Sequence, residues 1–386
     1  MLFAIFIAPI ALLTLLFVAE VILGLWPLPR NLLSAGSYTA TVVVPAHDEE
    51  SGISAMLARL TACSNGIAEV LVVADNCTDK TAQLARQAGA NVIERTDAER
   101  IGKGFALEFA RAHLKKREPE VVIVVDADCT IDRESLQQLV SAVGETQRPC
   151  QAVNLLMAPD SSLPLVEVST FAFLIKNLIR QRGLERLTGR VHLTGTGMAL
   201  PWALFEQCHL ATSSIVEDLS LGVSLAEKGH SPMLIERALV TSPAASLEGT
   251  MAQRRRWEGG YLQLSRTVAP RLMLSAILKV NFRGVLAAAD LMIPPIALLA
   301  ILNFVAAALL LVAGHYDRTV VPLAALQVAI IGTCGLAVLI AWALEGRRIL
   351  PFTHLAVLPL YVLRKIPHYA AIFVSGAPRQ WLRGER

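Results

Sequence analysis

Charge is scarce in this 386-residue chain: only 17% of its residues are Asp, Glu, Lys or Arg, and only 6% are aromatic. Ordinary soluble domains carry about a quarter charged residues, so a chain this poor in charge and 54% hydrophobic is excluded from that class and placed with membrane proteins. The mean hydropathy of +0.51 agrees. A net charge of only +3 lacks the basic field that a nucleic-acid partner demands. The six cysteines, at 63, 77, 129, 150, 208 and 334, show no C-x-x-C spacing, which argues against a zinc site and a disulfide framework and fits reduced thiols facing the cytosol. The first 28 residues lack the basic n-region and small-residue cleavage site of a signal peptide.

What is present is unevenly distributed. The apolar excess sits at the two ends, whereas residues 38–266 have the mixed composition of a domain able to bury its own core. Residues 1–29 read as a retained transmembrane helix interrupted only by Glu20. Arg30 follows it and no positive charge precedes it, so the positive-inside rule puts the next domain in the cytoplasm.

The stretch VVIVVDADC, Val121 to Cys129, organises the middle domain. Its β-branched run reads as a strand buried on both faces, and it ends on Asp126 and Asp128. Ligands of open α/β sheets bind beyond the strand carboxyl ends, where two acids one residue apart can hold a divalent cation and a phosphate-bearing ligand; alone, the pair could equally be turn chemistry or a helix cap. TVVVPAHDEE, VLVVADN and NVIER are the preceding strands, alternating with helices, the first capped by Ser51 and the second stopped at Gly89. That alternation predicts an α/β fold with a mostly parallel sheet, and it gathers Asp48, Asp75, Asp126 and Asp128 at one edge. Lys103, between two glycines, is either a phosphate contact or a solvated loop lysine. Residues 154–187 predict an amphipathic helix at a membrane surface. LTGTGMALP then supplies a tight glycine turn, and Glu217 with Asp218 precedes a helix ending at Gly229, as an N-cap or as a working acid pair. QRRRW, Gln253 to Trp257, offers arginine forks for a pyrophosphate and an indole for a sugar face, or an anchor to anionic headgroups.

Taken in order, VVVPAHDEE, VVADNCTDKT, GKGFAL, VVDADC, TGTGMAL, VEDLSLG and QRRRW resemble the membrane-bound family 2 glycosyltransferases, the group that includes cellulose, chitin and hyaluronan synthases. The resemblance covers about Thr41 to Trp257. It implies a GT-A fold, Mg2+ or Mn2+, and inverting transfer from a nucleotide sugar. Carried over residue by residue, Asp75 looks like the acid that meets the base, with Ala46 and Glu49 in the loop that cradles the nucleoside. Lys103 and Asp126 fall on nucleotide positions, Asp128 with Asp126 on the metal DxD, and Asp218 beside Glu217 on the catalytic base. Gln253, Arg256 and Trp257 match QxxRW, with arginine on the pyrophosphate and tryptophan on the acceptor. Val216 stands where the family has threonine, a position that is not the base. One carboxylate base and one cationic clamp suit single displacement, and no nucleophile for a retaining route is evident.

Beyond residue 266 the chain predicts an amphipathic interfacial helix over 270–283 and a membrane region over 285–376. Within the latter, Val285 to Ala313 and Val320 to Leu344 read as two spans, with Asp290 early in the first, and the remainder as a re-entrant or interfacial element or a third span. A basic tail occupies 377–386. The expected protein is an integral enzyme of the cell membrane, in bacteria the inner one. With so few spans, a non-processive transferase acting on a lipid-linked or glycan acceptor leads, ahead of a compact processive synthase and of a non-catalytic nucleotide-sugar-binding subunit.

Overall fold

The computed structural model describes residues 2–29, 36–158, 162–212, 214, 216–244 and 247–376. Arg30 and the tail 377–386 lie outside them. The chain forms two compact units, one within Pro27–Pro159 and Gly189–Ala245, the other within Met1–Trp26, Asp160–Thr188 and Ser246–Pro378.

The first unit is built on an eight-stranded sheet: β1 (Ala40–Ala46), β2 (Glu69–Asp75), β3 (Asn91–Arg95), β4 (Val121–Val124), β5 (Thr130–Ile131), β6 (Cys150–Met157), β7 (Met198–Pro201) and β8 (Met233–Pro243). Their spatial order is β3-β2-β1-β4-β7-β6-β8-β5. The first four run parallel, as strand–helix alternation requires. The other half is mixed, because β7 joins β4 and β6 antiparallel and β5 joins β8 antiparallel, while β6 and β8 are parallel.

Period-two alternation explains why β1 and β4 are unbroken runs of valine and isoleucine. Val42, Val44, Val121 and Ile123 join one core with helix Ile53–Ser64 and helix Arg133–Thr146. Val43, Val122 and Val124 join a second, on the opposite face, with helix Lys103–Leu114 and Phe205. Both faces are covered, so neither register of side chains is polar. The helix after β1 begins at Ile53 with Gly52 at its cap and no side-chain cap bond, so Ser51 does not play that part. Gly89, with φ +84°, ends the next helix as expected.

The second unit is helical. Helix Leu2–Gly24 crosses helix Arg180–Thr188 at glycine: a Cβ on Gly183 would sit 1.9 Å from the Glu20 carbonyl oxygen, and one on Gly24 would sit 1.8 Å from that of Ile179. Only hydrogen allows backbones this close. At the same crossing Arg180 binds Glu20 at 2.7 Å and Asp290 at 2.6 Å, and both carboxylates are almost wholly buried. Thr14, Asn303 and Gln327, from three helices, form a buried hydrogen-bonded set at 2.8–3.2 Å.

Among the described residues four helices are long and apolar enough to cross a membrane: Ile7–Gly24, Ile296–Tyr316, Arg318–Gly346 and Phe352–Val374. Several sequence expectations shift here. The segment expected to lie amphipathic on a membrane surface is a helix from Pro164 to Thr188 that is buried along nearly its whole length, and of its charged residues only Lys176 is exposed. The domain limit of 38–266 is therefore crossed by the fold, since Asp160–Thr188 and the residues from Ser246 onward cluster with the helical unit. The interfacial helix expected over 270–283 is instead the end of a 32-residue helix, Leu247–Leu278, with Pro270 inside it. Pro294 and Pro295 move the next span's start from Val285 to Ile296, and a separate helix, Phe282–Asp290, capped by Asn281, precedes it. Asp290 thus ends that helix on Arg180. In the last segment Lys365, 1% exposed, turns inward onto Glu258 at 2.9 and 3.0 Å, and His368 joins it at 2.8 Å, so helix Leu358–Ser375 continues through Pro367.

Removing one partner of a buried ion triad strands the others, typically at ~3–5 kcal/mol. Arg180→Ala is expected to lower thermal stability in detergent by several degrees, and adding Glu20→Gln should recover part of the loss. Unchanged melting of Arg180→Ala would show that the triad holds nothing.

Candidate active site

The carboxyl ends of β1, β2 and β4 carry the candidate residues. Ala46, 1% exposed, is the last residue of β1. The acidic turn after it is consumed locally: Asp48, at φ +52°, accepts from the Thr78 N–H at 2.6 Å, the Glu49 N–H donates to Thr81 Oγ1 at 2.7 Å, and the Glu50 N–H to Asp79 at 3.0 Å. Asp48 is accordingly a turn builder. Asp75 ends β2 fully buried. Its Oδ1 accepts from Arg95 at 2.6 Å, while Oδ2, shielded from solvent, accepts no hydrogen bond among the described residues. Burial raises the Asp75 pKa against the pull of Arg95. Arg95 was not singled out by sequence, since nothing in NVIER distinguishes it from a surface arginine. It also reaches Asp97 at 3.0 Å and lies over the Phe105 ring.

Lys103 opens its helix rather than lying in a loop, behind Gly102 at φ +138°. Its ammonium is bonded to Asp126 Oδ1 and, at 2.7 Å, to the Gly195 carbonyl. The solvated-lysine alternative is thereby removed. Burial alone would depress its pKa, but the charges of Asp126, Glu217 and Asp218 outweigh it and the pKa rises. Asp126 is raised by burial and by Asp128 and Asp218, with Lys103 opposing. Asp128 lies two residues on, half-buried, and accepts from the Cys129 thiol at 3.3 Å.

The TGTG turn packs this cluster from the other side. Gly195 and Gly197 have φ +84° and +66°, a region closed to most side chains. Buried Gln151 of β6 fastens the turn by accepting from the Thr194 N–H at 2.9 Å and donating to the Thr196 carbonyl at 2.9 Å. Thr196 Oγ1 in turn accepts from the Asp126 N–H at 3.2 Å. A Cβ on Gly195 would lie 3.0 Å from Asp218 Oδ2 and 3.3 Å from Lys103 Nζ, so acid, ammonium and turn converge there. Glu217 and Asp218 fall in the first turn of helix Glu217–Glu227, and its cap, Val216, makes no side-chain bond. Asp218 Oδ1 accepts from the adjacent Leu219 N–H at 2.8 Å, which satisfies one first-turn donor of the helix. Burial first, then the charge of Asp218, pushes the Glu217 carboxyl up to about 8.

Oxygen atoms of Asp126 and Asp128 and the sulfur of Cys129 lie within 4.8 Å of one another. Two carboxylates suit a hard divalent cation. The Cys129 thiol, buried and with its pKa raised by burial and by both aspartates, does not.

Gln253, Arg256 and Trp257 belong to the helical unit, on helix Leu247–Leu278. There Arg254, which sequence reasoning passed over, is the buried member: it donates to Ser169 Oγ at 3.1 Å and to the Ser169 carbonyl at 2.7 Å, and it lies over the rings of Phe173 and Trp257. Arg256 is half-buried, which lowers its pKa.

A model of the family described as Glycosyltransferase like family 2 matches residues 38–260. Over 117 residues the chain is 37% identical to the low-salt glycan biosynthesis hexosyltransferase Agl6 of Haloferax volcanii, covering 29% of this chain and 27% of that protein. Over 104 residues it is 34% identical to a dolichyl-phosphate hexose transferase of the same organism, covering 27% of this chain and 42% of that one. The chain therefore matches less than half the length of either relative. Among solved structures, a mannosyltransferase from Pyrobaculum calidifontis, in complex with GDP-Man and Mn2+, superposes with a TM-score of 0.55 at 19% identity, covering 88% of this chain and 99% of that one. At that identity the likeness is one of fold.

The raised Glu217 pKa has a sign that can be checked. The folded chain keeps a proton that the unfolded chain releases near pH 4.5, so this stabilisation is present below pH 4.5 and is lost as pH rises through about 8. In chelator, melting temperature should fall between pH 5 and 8.5, and Glu217→Gln should flatten the fall. An equally steep fall in the variant would assign the pH dependence elsewhere.

Proposed function

Because the chain belongs to glycosyltransferase family 2 and has its GT-A fold, we propose that it is an inverting, metal-dependent transferase. It moves a sugar from a nucleotide sugar, a UDP-sugar by its resemblance to the cellulose-synthase-like branch, to a membrane-associated acceptor such as a polyprenyl-diphosphate-linked saccharide. The observation that carries the reading is the convergence of Lys103, Asp126 and Asp218 on the Gly195 turn at the strand carboxyl ends. The Haloferax volcanii relatives named for glycan biosynthesis and for dolichyl phosphate support a lipid-linked acceptor. The four apolar helices found among the described residues support a place in the cell membrane, and the positive-inside reading of Arg30 favours the cytoplasm for the sheet unit.

In this reading Asp218 takes the proton of the acceptor hydroxyl as that oxygen attacks the anomeric carbon. Glu217 beside it, held protonated to near neutral pH by burial, leaves the pair with a single charge. Lys103 and Asp126 line the diphosphate, Ala46, Glu49 and Asp75 the nucleoside, Gln253 and Arg256 the pyrophosphate, and Trp257 the acceptor. Asp128 with Asp126 would hold Mg2+ or Mn2+, which supplies positive charge to the departing diphosphate. Lys103 already contributes one charge to that end of the site, so the two aspartates need only one cation between them.

The test is incubation of membranes with Mn2+ or Mg2+ and a panel of labelled UDP- and GDP-sugars, against Asp218→Asn and against chelator. Label in the organic extract that falls at least about a hundredfold in the variant, the scale of general-base catalysis, is the expected result. Asp218-dependent label in polymer would establish a processive synthase instead. Transfer undiminished in Asp218→Asn would remove the base from the mechanism.

A further inference from the structure

Between Glu258 and Asp290 the chain holds no acid, whereas Arg266, Arg271, Lys279 and Arg283 are basic. In this stretch helix Leu247–Leu278 turns a corner into helix Phe282–Asp290. The corner is closed by the backbone: the Asn281 N–H donates to the Ala276 carbonyl at 2.9 Å and the Val280 N–H to the Ile277 carbonyl at 3.0 Å, the pairing that usually ends a helix on glycine. Asn281 then caps the second helix by accepting from the Gly284 N–H at 3.0 Å. The turn is thus fixed on both sides.

Valine stands where this turn favours glycine. Val280 has φ +51°, and the other non-glycine residues with positive φ among the described residues, Asp48, Asn76, Glu118 and Gln147, are all polar. A β-branched side chain in that region is strained, and such strain persists mainly at positions with a task. Packing does not explain the choice. Val280 is 91% exposed, and Leu278 and Phe282 on either side of it are 75% and 72% exposed. Lys279 and Arg283, interleaved with them, are exposed as well. The corner lies outside the four helices long and apolar enough to cross a membrane.

We infer that the corner, residues 277–283, is a docking surface for an anionic phospholipid leaflet, with Leu278, Val280 and Phe282 set into the boundary between headgroups and acyl chains and Lys279 and Arg283 on lipid phosphates. The apolar tip alone would suit any bilayer or a second copy of the chain. Charge selects among these occupants: a basic stretch without one acid repels its own copy and is drawn to anionic headgroups. Long basic side chains reach back to the phosphates while their apolar neighbours enter the hydrocarbon edge. This inference rests on the membrane placement proposed above and not on sugar transfer.

Full-length protein carrying Leu278→Cys, labelled with an environment-sensitive fluorophore, is placed in phosphatidylcholine nanodiscs with and without phosphatidylglycerol. Leu309→Cys, at an exposed position of the span Ile296–Tyr316, is the reference, and the native chain taken through the same labelling gives the background of its own six cysteines. With phosphatidylglycerol, nitroxide-labelled lipid is expected to quench the probe at 278 at least twofold, and Lys279→Gln with Arg283→Gln to remove at least half of that quenching. Val280→Asn, a residue that tolerates positive φ, should melt no lower than the native chain and yet lose quenching to the same extent, which separates a surface role from a folding defect. Full quenching in Val280→Asn would overturn the role of the tip. Quenching at 278 by aqueous iodide instead of lipid, with lipid quenching kept at 309, would overturn the corner alone. Equal lipid quenching with and without phosphatidylglycerol would overturn the anionic leaflet in favour of apolar insertion, and protection from both quenchers would give the corner to a second copy. Loss of lipid quenching at 309 as well would overturn the membrane placement itself.

Discussion

The ammonium of Lys103 is the constraint on which the sheet unit depends at its functional edge. Asp126, Asp128, Glu217 and Asp218 approach one another from the end of β4 and the start of a helix, where burial first and then the neighbouring carboxylates raise the pKa of Asp126 and of Glu217. A single buried cation bonded both to Asp126 and to the Gly195 carbonyl ties three chain segments that are distant in sequence. The TGTG turn gains a fixed position from the same contact, and Gln151 repeats the fastening from behind. A divalent cation placed on Asp126 and Asp128 would compete with Lys103 for Asp126 Oδ1, so occupancy of one carboxylate oxygen links metal, lysine and glycine turn.

Much of this was legible before the fold was known. The strand–helix alternation gave β1 to β4 and their parallel order, because buried parallel strands have no polar face to disguise them. The fold brings Lys103 beside Asp126, Glu217 and Asp218, because the lysine and the acid pair each open a helix and Asp126 lies just beyond β4. What escaped was information that spacing does not carry. Asp48 looked like another site acid, but a carboxylate one residue after a strand can serve backbone N–H groups as readily as a ligand. Arg95 pairs with Asp75 only because β3 lies beside β2 in the register that places Asp75 opposite Arg95.

The helical unit shows the opposite failure. Its charges were read from sequence as surface features, an amphipathic face over 154–187 and a re-entrant or interfacial element or third span near the end of the 285–376 region. In the fold they are the internal fastenings: Arg180 on Glu20 and Asp290, Lys365 on Glu258. Burial raises the Glu258 pKa less than His368, Lys365 and Arg254 lower it, and the net result is a carboxylate held down to about 2. Hydropathy counts such residues as penalties against burial, whereas complementary pairs remove most of that penalty. A linear sequence shows the cost of a charge and conceals its partner.

The QRRRW stretch joins both lessons. Three successive arginines on one helix point about 100° apart, so they cannot share a task. Gln253, Arg256 and Trp257 have the i, i+3, i+4 spacing that puts side chains on one face. Arg254 falls outside that set, yet it is the arginine that is 7% exposed, bonded twice to Ser169 and lying over the rings of Phe173 and Trp257. The indole is therefore supported by a residue the motif does not name, while Arg256 is only half-buried. Neutralising Arg254 would disturb Trp257 by removing its support, and neutralising Arg256 would remove a charge without moving the ring. Two arginines of one run, alike in sequence, thus differ in burial and in what they touch, and only the identity of the facing helix distinguishes them.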